Sequence, residues 1–507
     1  MFIENDIKDS VDNKVNTANN EICDKTNKTN TLNRESNLII NHSNKLRYYL
    51  KKYIFSDRPF YEKLWMLALP IIIQNFMSSF LNIIDTIMIG QIGEIQIAAV
   101  GVANQYFLLC LLVIIGIHSG CSILMSQYWG KGDKKNIMKV QGVGLIVSFF
   151  AATVFATLAF VFSKEIISIF NKEELVIAEG AKYLKIVCFS YIFTAISLGY
   201  AFASRSIGDA LMPMIVTGIA IICNTTFNYV LIFGKLGAPA LGVEGAAIAT
   251  NIARIVESII IVSYIYGKNS ILAVKFIDLH GIQREYLIKM FKTVLPVVLN
   301  EGFWALGSVV RSIAYGRIGS HAMAAVQICN TVQNLFNVAV FGMAAASAVM
   351  IGHKIGEGEE EQGQEYAWKF SALSSVTGLV LGIILAITAK FTLSFFNVSV
   401  EVYNSTLWMQ YMMAVIMVFR VFTIVVAVGI LRGGGDAHFA FISESITMWL
   451  IGVPLAFIGA FVFHLPIHFV VALSTIEELL KVYIFIRRLI SKKWINNLVR
   501  DVALDVA

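Results

Sequence analysis

The chain has 507 residues, 57% hydrophobic and only 15% charged, with mean hydropathy +0.70 and a formal net charge of +6. Soluble domains carry roughly 45–50% apolar and about 25% charged residues, so a chain of soluble enzyme domains is excluded. The positive charge does not point to nucleic acid either, because the Lys and Arg lie in short loops and tails between apolar blocks.

Residues 1–56 are rich in Asn, Lys, Asp, Thr and Ser. No apolar run follows a basic start, so they read as a disordered polar tail and not as a signal peptide. Apolar blocks of about 20 residues follow almost end to end, each long enough to cross a hydrocarbon core of about 30 Å. They lie at Leu64–Ile89, Ala98–Tyr128, Val140–Phe162, Ala181–Ala203, Leu211–Phe233 and Val243–Tyr266. The remaining blocks are Ile288–Tyr315, Ala322–Ile351, Ala367–Ala389, Leu407–Leu431, Phe439–Phe463 and Pro466–Ile486. Open sheet edges do not survive in lipid, and barrel strands would alternate apolar and polar residues, which these blocks do not. The sequence predicts an all-α polytopic membrane protein of about 12 transmembrane helices.

One set of loops holds most of the positive charge, including Lys131, Lys134, Lys135, Lys139, Lys354, Arg487, Arg488, Lys492 and Lys493. The positive-inside bias places that set and both termini in the cytoplasm, with the protein in the inner or plasma membrane.

An internal repeat organises the blocks. Pro70 matches Pro296 (296 − 70 = 226), and Gly90, Gly93, Asn104, Gly130 and Gly132 recur at the same spacing as Gly316, Gly319, Asn330, Gly356 and Gly358. Farther on, Arg205-Ser206-Ile207-Gly208-Asp209-Ala210 echoes Arg432-Gly433-Gly434-Gly435-Asp436-Ala437 (432 − 205 = 227). A unit of six spans gives both halves the same membrane orientation, and such halves leave a cleft near the midplane. The boundaries read as an N-lobe at 57–267, a linker at 268–287, a C-lobe at 288–490 and a cytoplasmic tail at 491–507.

The six cysteines form no CxxC pair and five lie in apolar blocks, so no disulfide framework or zinc site is expected. Gly130-Lys131-Gly132-Asp133 and Gly433-Gly434-Gly435-Asp436 lack a preceding strand and the GxxxxGK[ST] pattern; they read as helix caps and turns. Without a nucleotide-binding or catalytic motif, no cofactor is expected and transport would draw on an ion gradient.

Polar residues inside apolar helices are costly and must face protein or water. The first span carries Asn75, Ser78, Asn82 and Asp85 on one face. Asp85 can bind Na⁺ through oxygens, exchange a proton, or serve as a structural hydrogen-bonding group. Asn224 and Asn228, one turn apart in the fifth span, can complete its shell or glue helices together. The seventh span repeats the stripe with Glu301, Trp304, Ser308 and Arg311, and the eighth presents Gln327, Asn330, Asn334 and Asn337. Arg254 and Glu257 are spaced for a local ion pair. Arg420 and Glu444, in the tenth and eleventh spans, have no obvious partners and can pair with each other.

These segments resemble the MATE family of multidrug and toxic compound extrusion transporters, within the MOP flippase superfamily. The resemblance rests on LALPIIIQNFMSSFLNIIDTIMIGQIG with the following AAVGVANQ, on SQYWGKGDKKN, on ASRSIGDALMPM and LRGGGDAHFAF, and on NTTFNYVLIFGKLG with GVEGAAIAT. It covers about Leu64 to Arg488. It implies two six-helix lobes in a V and export of organic cations in exchange for H⁺ or Na⁺. Asp85 falls at the family's first-span acid, and Asn224 and Asn228 fall where relatives carry Asn and then Asp or Asn. Glu301 lies near the family's seventh-span acid. Arg420 stands in the block where some relatives have an acid. The expected partners are small cationic or amphipathic molecules and the bilayer, with the protein a monomer. A flippase for a lipid-linked saccharide of the same superfamily is the alternative, kept open by Arg254, Arg311 and Arg420.

Overall fold

The computed structural model describes residues 57–275, 281–396 and 398–500; the polar tail at 1–56 and residues 501–507 lie outside them. The chain divides at Arg58, and the unit that begins at Pro59 holds both halves of the repeat. Among the described residues there is no strand.

The first half runs through Arg58–Gly90, Glu94–Lys131, Lys134–Val161 with the short Ser163–Phe170, a broken fourth span, Leu211–Phe233 and Gly242–Gly267. The fourth span consists of Glu174–Val187 and Ser190–Ser206, bent by 50° at the break. The second half runs through Arg284–Ile318, Ser320–Gly356, Glu360–Leu393, Val400–Leu431 and Ala437–Val462, and closes with Ile467–Ser474 and Ile476–Ile490. Among the described residues, ten unbroken helices are long and apolar enough to cross a membrane, and the bent pair makes an eleventh. The last two helices complete the second six; the first of them is strongly apolar, and the second carries Glu477, Glu478 and Lys481. The seventh-span helix begins at Arg284, so it takes in the last residues of the predicted linker.

The turns follow the sequence closely. Gly132, Gly208, Gly358 and Gly435 have φ of 76°, 96°, 82° and 83°. Side chains with a Cβ avoid that left-handed region, which is why glycine ends these helices. The four sit at matching repeat positions. Asp133 caps the third span by accepting from the Asn136 N–H at 3.1 Å. The second half differs in one respect: wide π turns interrupt it at Val425–Leu431, Met448–Gly452 and Ile458–Val462.

The halves meet at the Lys131 and Gly356 end of the second and eighth spans. A methyl on Gly116 would collide with the Val298 backbone, and one on Gly342 with Ile72; these contacts are the same contact viewed from each half. At the very end, Gly130 lies against the His353 carbonyl and Gly356 against the Gln127 carbonyl, again a matched pair. Small residues let backbones approach where lipid gives no hydrophobic drive. The opening turns of the first and seventh spans are exchanged between cores. Phe60, Leu64, Leu67 and Ile71 belong to the second-half core, with the Phe60 ring 5.1 Å from that of Phe370. Met290 and Val294 belong to the first-half core.

Candidate functional site

Away from that junction the first span turns its polar stripe outward. Ser78 and Asn82 are exposed, while Asn75 and Asp85 are half-buried. Asn228, on the fifth span, donates from Nδ2 to Asp85 Oδ1 at 2.7 Å and to Asn224 Oδ1 at 2.9 Å. Both asparagines are buried, and Asn228 Oδ1 has no hydrogen-bond partner. A buried oxygen left unpaired beside a carboxylate calls for an explanation. Asn82 lies a turn from Asp85 on the exposed flank, so the structure joins Asp85 to Asn228 and Asn224 and leaves Asn82 apart.

Closer to the junction a second polar chain links four spans of the first half. Arg205 Nη2 donates to Gln74 Oε1 at 2.5 Å, Gln74 Nε2 to Thr217 at 2.8 Å, and Thr217 to Glu257 at 3.1 Å. Arg254 closes it on Glu257 at 2.7 Å, the local pair its spacing predicts.

The second half holds more charge. Arg432 pairs with Glu301 at 3.0 Å and reaches Ser119 of the first half at 3.4 Å. Asn300 donates to Glu444 at 2.6 Å. Arg311 pairs with Glu477 at 3.1 Å, and Lys481 lies between Glu477 at 3.4 Å and Glu478 at 3.5 Å. Thr423 donates to Glu478 at 2.7 Å, and Arg420 to Gln333 at 2.6 Å. Glu444 and Arg420 therefore do not pair, contrary to the sequence-based suggestion. Arg420 faces the eighth span, whereas Glu444 faces the seventh, so each meets a different amide. Glu477, Glu478, Lys481 and Gln333 escaped the sequence reading, although three charges within five residues of an apolar block were a usable signal.

The family model described as MatE matches residues 70–230 and 296–458, once in each half. The chain belongs to the MatE family. Similar proteins include the multidrug resistance protein NorM of Vibrio cholerae, 28% identical over 405 residues that cover 77% of this chain and 86% of NorM. The probable multidrug resistance protein NorM of Thermotoga maritima is 26% identical, covering 80% and 86%. An uncharacterized transporter of Bacillus subtilis, YisQ, is 26% identical, covering 80% and 88%. Among solved structures, a variant of the Vibrio cholerae MATE transporter VcmN superposes with a TM-score of 0.78 at 17% identity, covering 85% of this chain and 98% of VcmN. A MOP superfamily transporter from Pyrococcus furiosus gives 0.77 at 18% identity, covering 85% and 96%. These likenesses show the twelve-helix MATE fold.

As a MatE protein the chain is a multi-pass membrane transporter and not an enzyme. Its eighth span leaves Gln327, Asn330 and Asn334 exposed, and its second span leaves Asn104 and Gln105 exposed. Asn104 and Asn330 are repeat partners. Amides at lipid-facing positions would be costly, which makes these exposed faces the candidates for a wet cleft. The Asn337 position is half-buried and continues the eighth-span stripe toward the junction.

Proposed function

We propose that this MatE protein is a secondary active exporter that exchanges small organic cations or other amphipathic compounds for H⁺ or Na⁺, with Asp85 loading the coupling ion. The arrangement of Asp85 and Asn228, with an unpaired buried oxygen beside a half-buried carboxylate, carries the reading. Both candidate ions suit it: Na⁺ takes oxygen ligands, and a proton neutralises the carboxylate outright. Cargo sits between the halves, against Ser78, Asn82, Asn104, Gln327, Asn330 and Asn334. The likeness to NorM proteins supports a multidrug cargo, and the loop charges support a cytoplasmic junction end with the termini on the same side.

A flippase of lipid-linked saccharides would need unpaired positive charge facing the cleft. Arg254, Arg311 and Arg432 are held by Glu257, Glu477 and Glu301, and Arg420 is engaged by Gln333. This favours the exporter.

The deciding experiment is ethidium efflux from energised vesicles with a pH gradient or a Na⁺ gradient imposed separately. Efflux follows one of the two gradients and is abolished in Asp85→Asn, which still inserts and folds. Normal efflux in that variant would remove Asp85 from the mechanism, and indifference of the intact protein to both gradients would remove the exporter.

A further inference from the structure

The segment Ser491–Arg500 leaves the twelfth span and crosses the end where the two halves meet. It forms no regular helix, yet two of its apolar side chains are fully buried: Trp494 in the second-half core and Val499 in the first-half core. Five residues of chain thus carry the backbone from one core to the other.

The second-half side is the heavier anchor. The Trp494 ring lies against Gly434, where even a methyl group would overlap it, and its Nε1 donates to Gln364 at 3.0 Å. The Asn496 N–H donates to the Gly434 carbonyl at 2.8 Å, and Asn497 Nδ2 to the Ile355 carbonyl at 2.9 Å. Beyond Asn497 the Leu498 N–H and the Val499 carbonyl find first-half partners, while the Leu498 side chain still lies against Gly435 and Arg500 reaches Glu360 of the second half at 3.9 Å. Gln127, itself fully buried, accepts from the Leu498 N–H at 2.9 Å and donates to the Asn496 carbonyl at 3.1 Å and the Gly433 carbonyl at 3.3 Å. Lys131 Nζ donates to the Val499 carbonyl at 2.6 Å.

We infer that residues 491–500 are a strap that holds this end of the transporter shut, fixed to the second half by Trp494 and clasped to the first half by Gln127, Lys131 and the pocket of Val499. The inference rests on the exporter reading, in which the halves must part at this end once per cycle. Gln127 and Gly130 lie within one turn of each other, so the clasp sits on the same residues as the matched glycine contact. Separation of the glycine pair pulls Gln127 away from Leu498. A clasp of hydrogen bonds and a single valine releases before a buried indole does, so the strap stays with the second half as the end opens.

The test uses the full chain in nanodiscs, with spin labels on cysteines placed at the exposed Lys135 and Glu361 in a cysteine-free background. Interlabel distances are then compared with those of a chain ending at Ser491 and of Gln127→Ala. Both changes should raise the ratio of long to short distances at least tenfold, equivalent to about 1.4 kcal/mol. A disulfide between Lys131→Cys and Val499→Cys should abolish the long-distance population and efflux, and a reductant should restore both. Unchanged distance distributions in Gln127→Ala and in the shortened chain would overturn the strap, as would undiminished efflux from the cross-linked protein. If the shortened chain fails to fold, Gln127→Ala and the cross-link still decide. Loss of the exporter reading shows separately, as gradient-independent behaviour of the unmodified chain.

Discussion

The Arg432 guanidinium lies 3.0 Å from the Glu301 carboxylate, whereas its counterpart one repeat earlier, Arg205, donates to the Gln74 amide. The repeat has kept the arginine and its partner on the first or seventh span, but the partner has moved by one position and gained a charge: Gln74 matches Asn300, whereas Glu301 matches Asn75 (301 − 75 = 226). Arg432 is nearly fully buried, and Glu301 is about one-fifth exposed. Glu301→Gln therefore leaves a buried guanidinium without its counter-ion and should destabilise the fold by about 1–3 kcal/mol, less than for a sealed pair because water reaches the carboxylate. Thermal unfolding in detergent reads this, and a melting temperature equal to that of the parent would show that Arg432 finds another partner.

Asn228→Ala removes the only hydrogen-bond donor that the structure gives Asp85 among the described residues and also removes the unpaired Oδ1. Hydrogen bonds to charged groups contribute about 1.5–3 kcal/mol, and this one stabilises the unloaded carboxylate, so its loss should raise the apparent affinity for a driving proton by roughly ten- to a hundredfold, whereas a driving Na⁺ also loses Oδ1 as a ligand and should show a smaller rise or a fall. The dependence of efflux on the concentration of the driving ion measures the shift. Asn82→Ala, on the exposed flank, should leave that dependence within about twofold.

Gly130→Ala and Gly356→Ala each push a methyl into the facing carbonyl of the other half. Overpacking costs about 1–3 kcal/mol, and here the strain is relieved by parting the halves. Cysteine accessibility at the junction end should rise in both variants and to a similar degree, since the contacts are matched. A response from only one of them would show that the junction is not symmetric in energy.

Lys481→Met deletes the buried cation between Glu477 and Glu478. Breaking a buried charge network in this way costs about 3–5 kcal/mol. Lys182→Met removes a surface pair with Glu179 at 2.9 Å and should leave the unfolding midpoint unchanged. Unfolding midpoints of the two variants, measured side by side, test the contrast.

Most of the fold was legible because it is written in residue spacing. The proline, glycine and arginine landmarks mark the repeat, and two of the four left-handed glycines, Gly132 and Gly435, stand in the runs that read as helix caps and turns. In the first half the site was legible too, since Asp85 and the Asn224 and Asn228 pair lie on predicted faces. In the second half the faces were legible but the partners were not. Which partner Arg420 or Arg311 meets, an amide for the one and an acid for the other, depends on how the tenth and twelfth helices are rotated about their own axes, and intrahelical spacing carries no such information. Glu444 found Asn300, a residue that the stripe on the seventh span did not include. The burial of Trp494 was likewise hidden: a basic, polar stretch after the last span reads as a tail until the Gly434 surface that receives it is known.

The wide turn at Val425–Leu431 has a consequence for how the halves were matched. The helices that begin at Glu174 and Val400 are in step (400 − 174 = 226), yet Arg205 and Arg432 are one residue out of step (432 − 205 = 227). One surplus residue must be absorbed between those points, and the π turn directly before Arg432 absorbs it where the second segment of the broken fourth span, Ser190–Ser206, is α-helical to its end. An inserted residue in a continuous helix would swing everything after it by about 100°. The loosened turn cancels that swing, so Arg432 still points at the seventh span and the duplicated architecture survives a shift of frame.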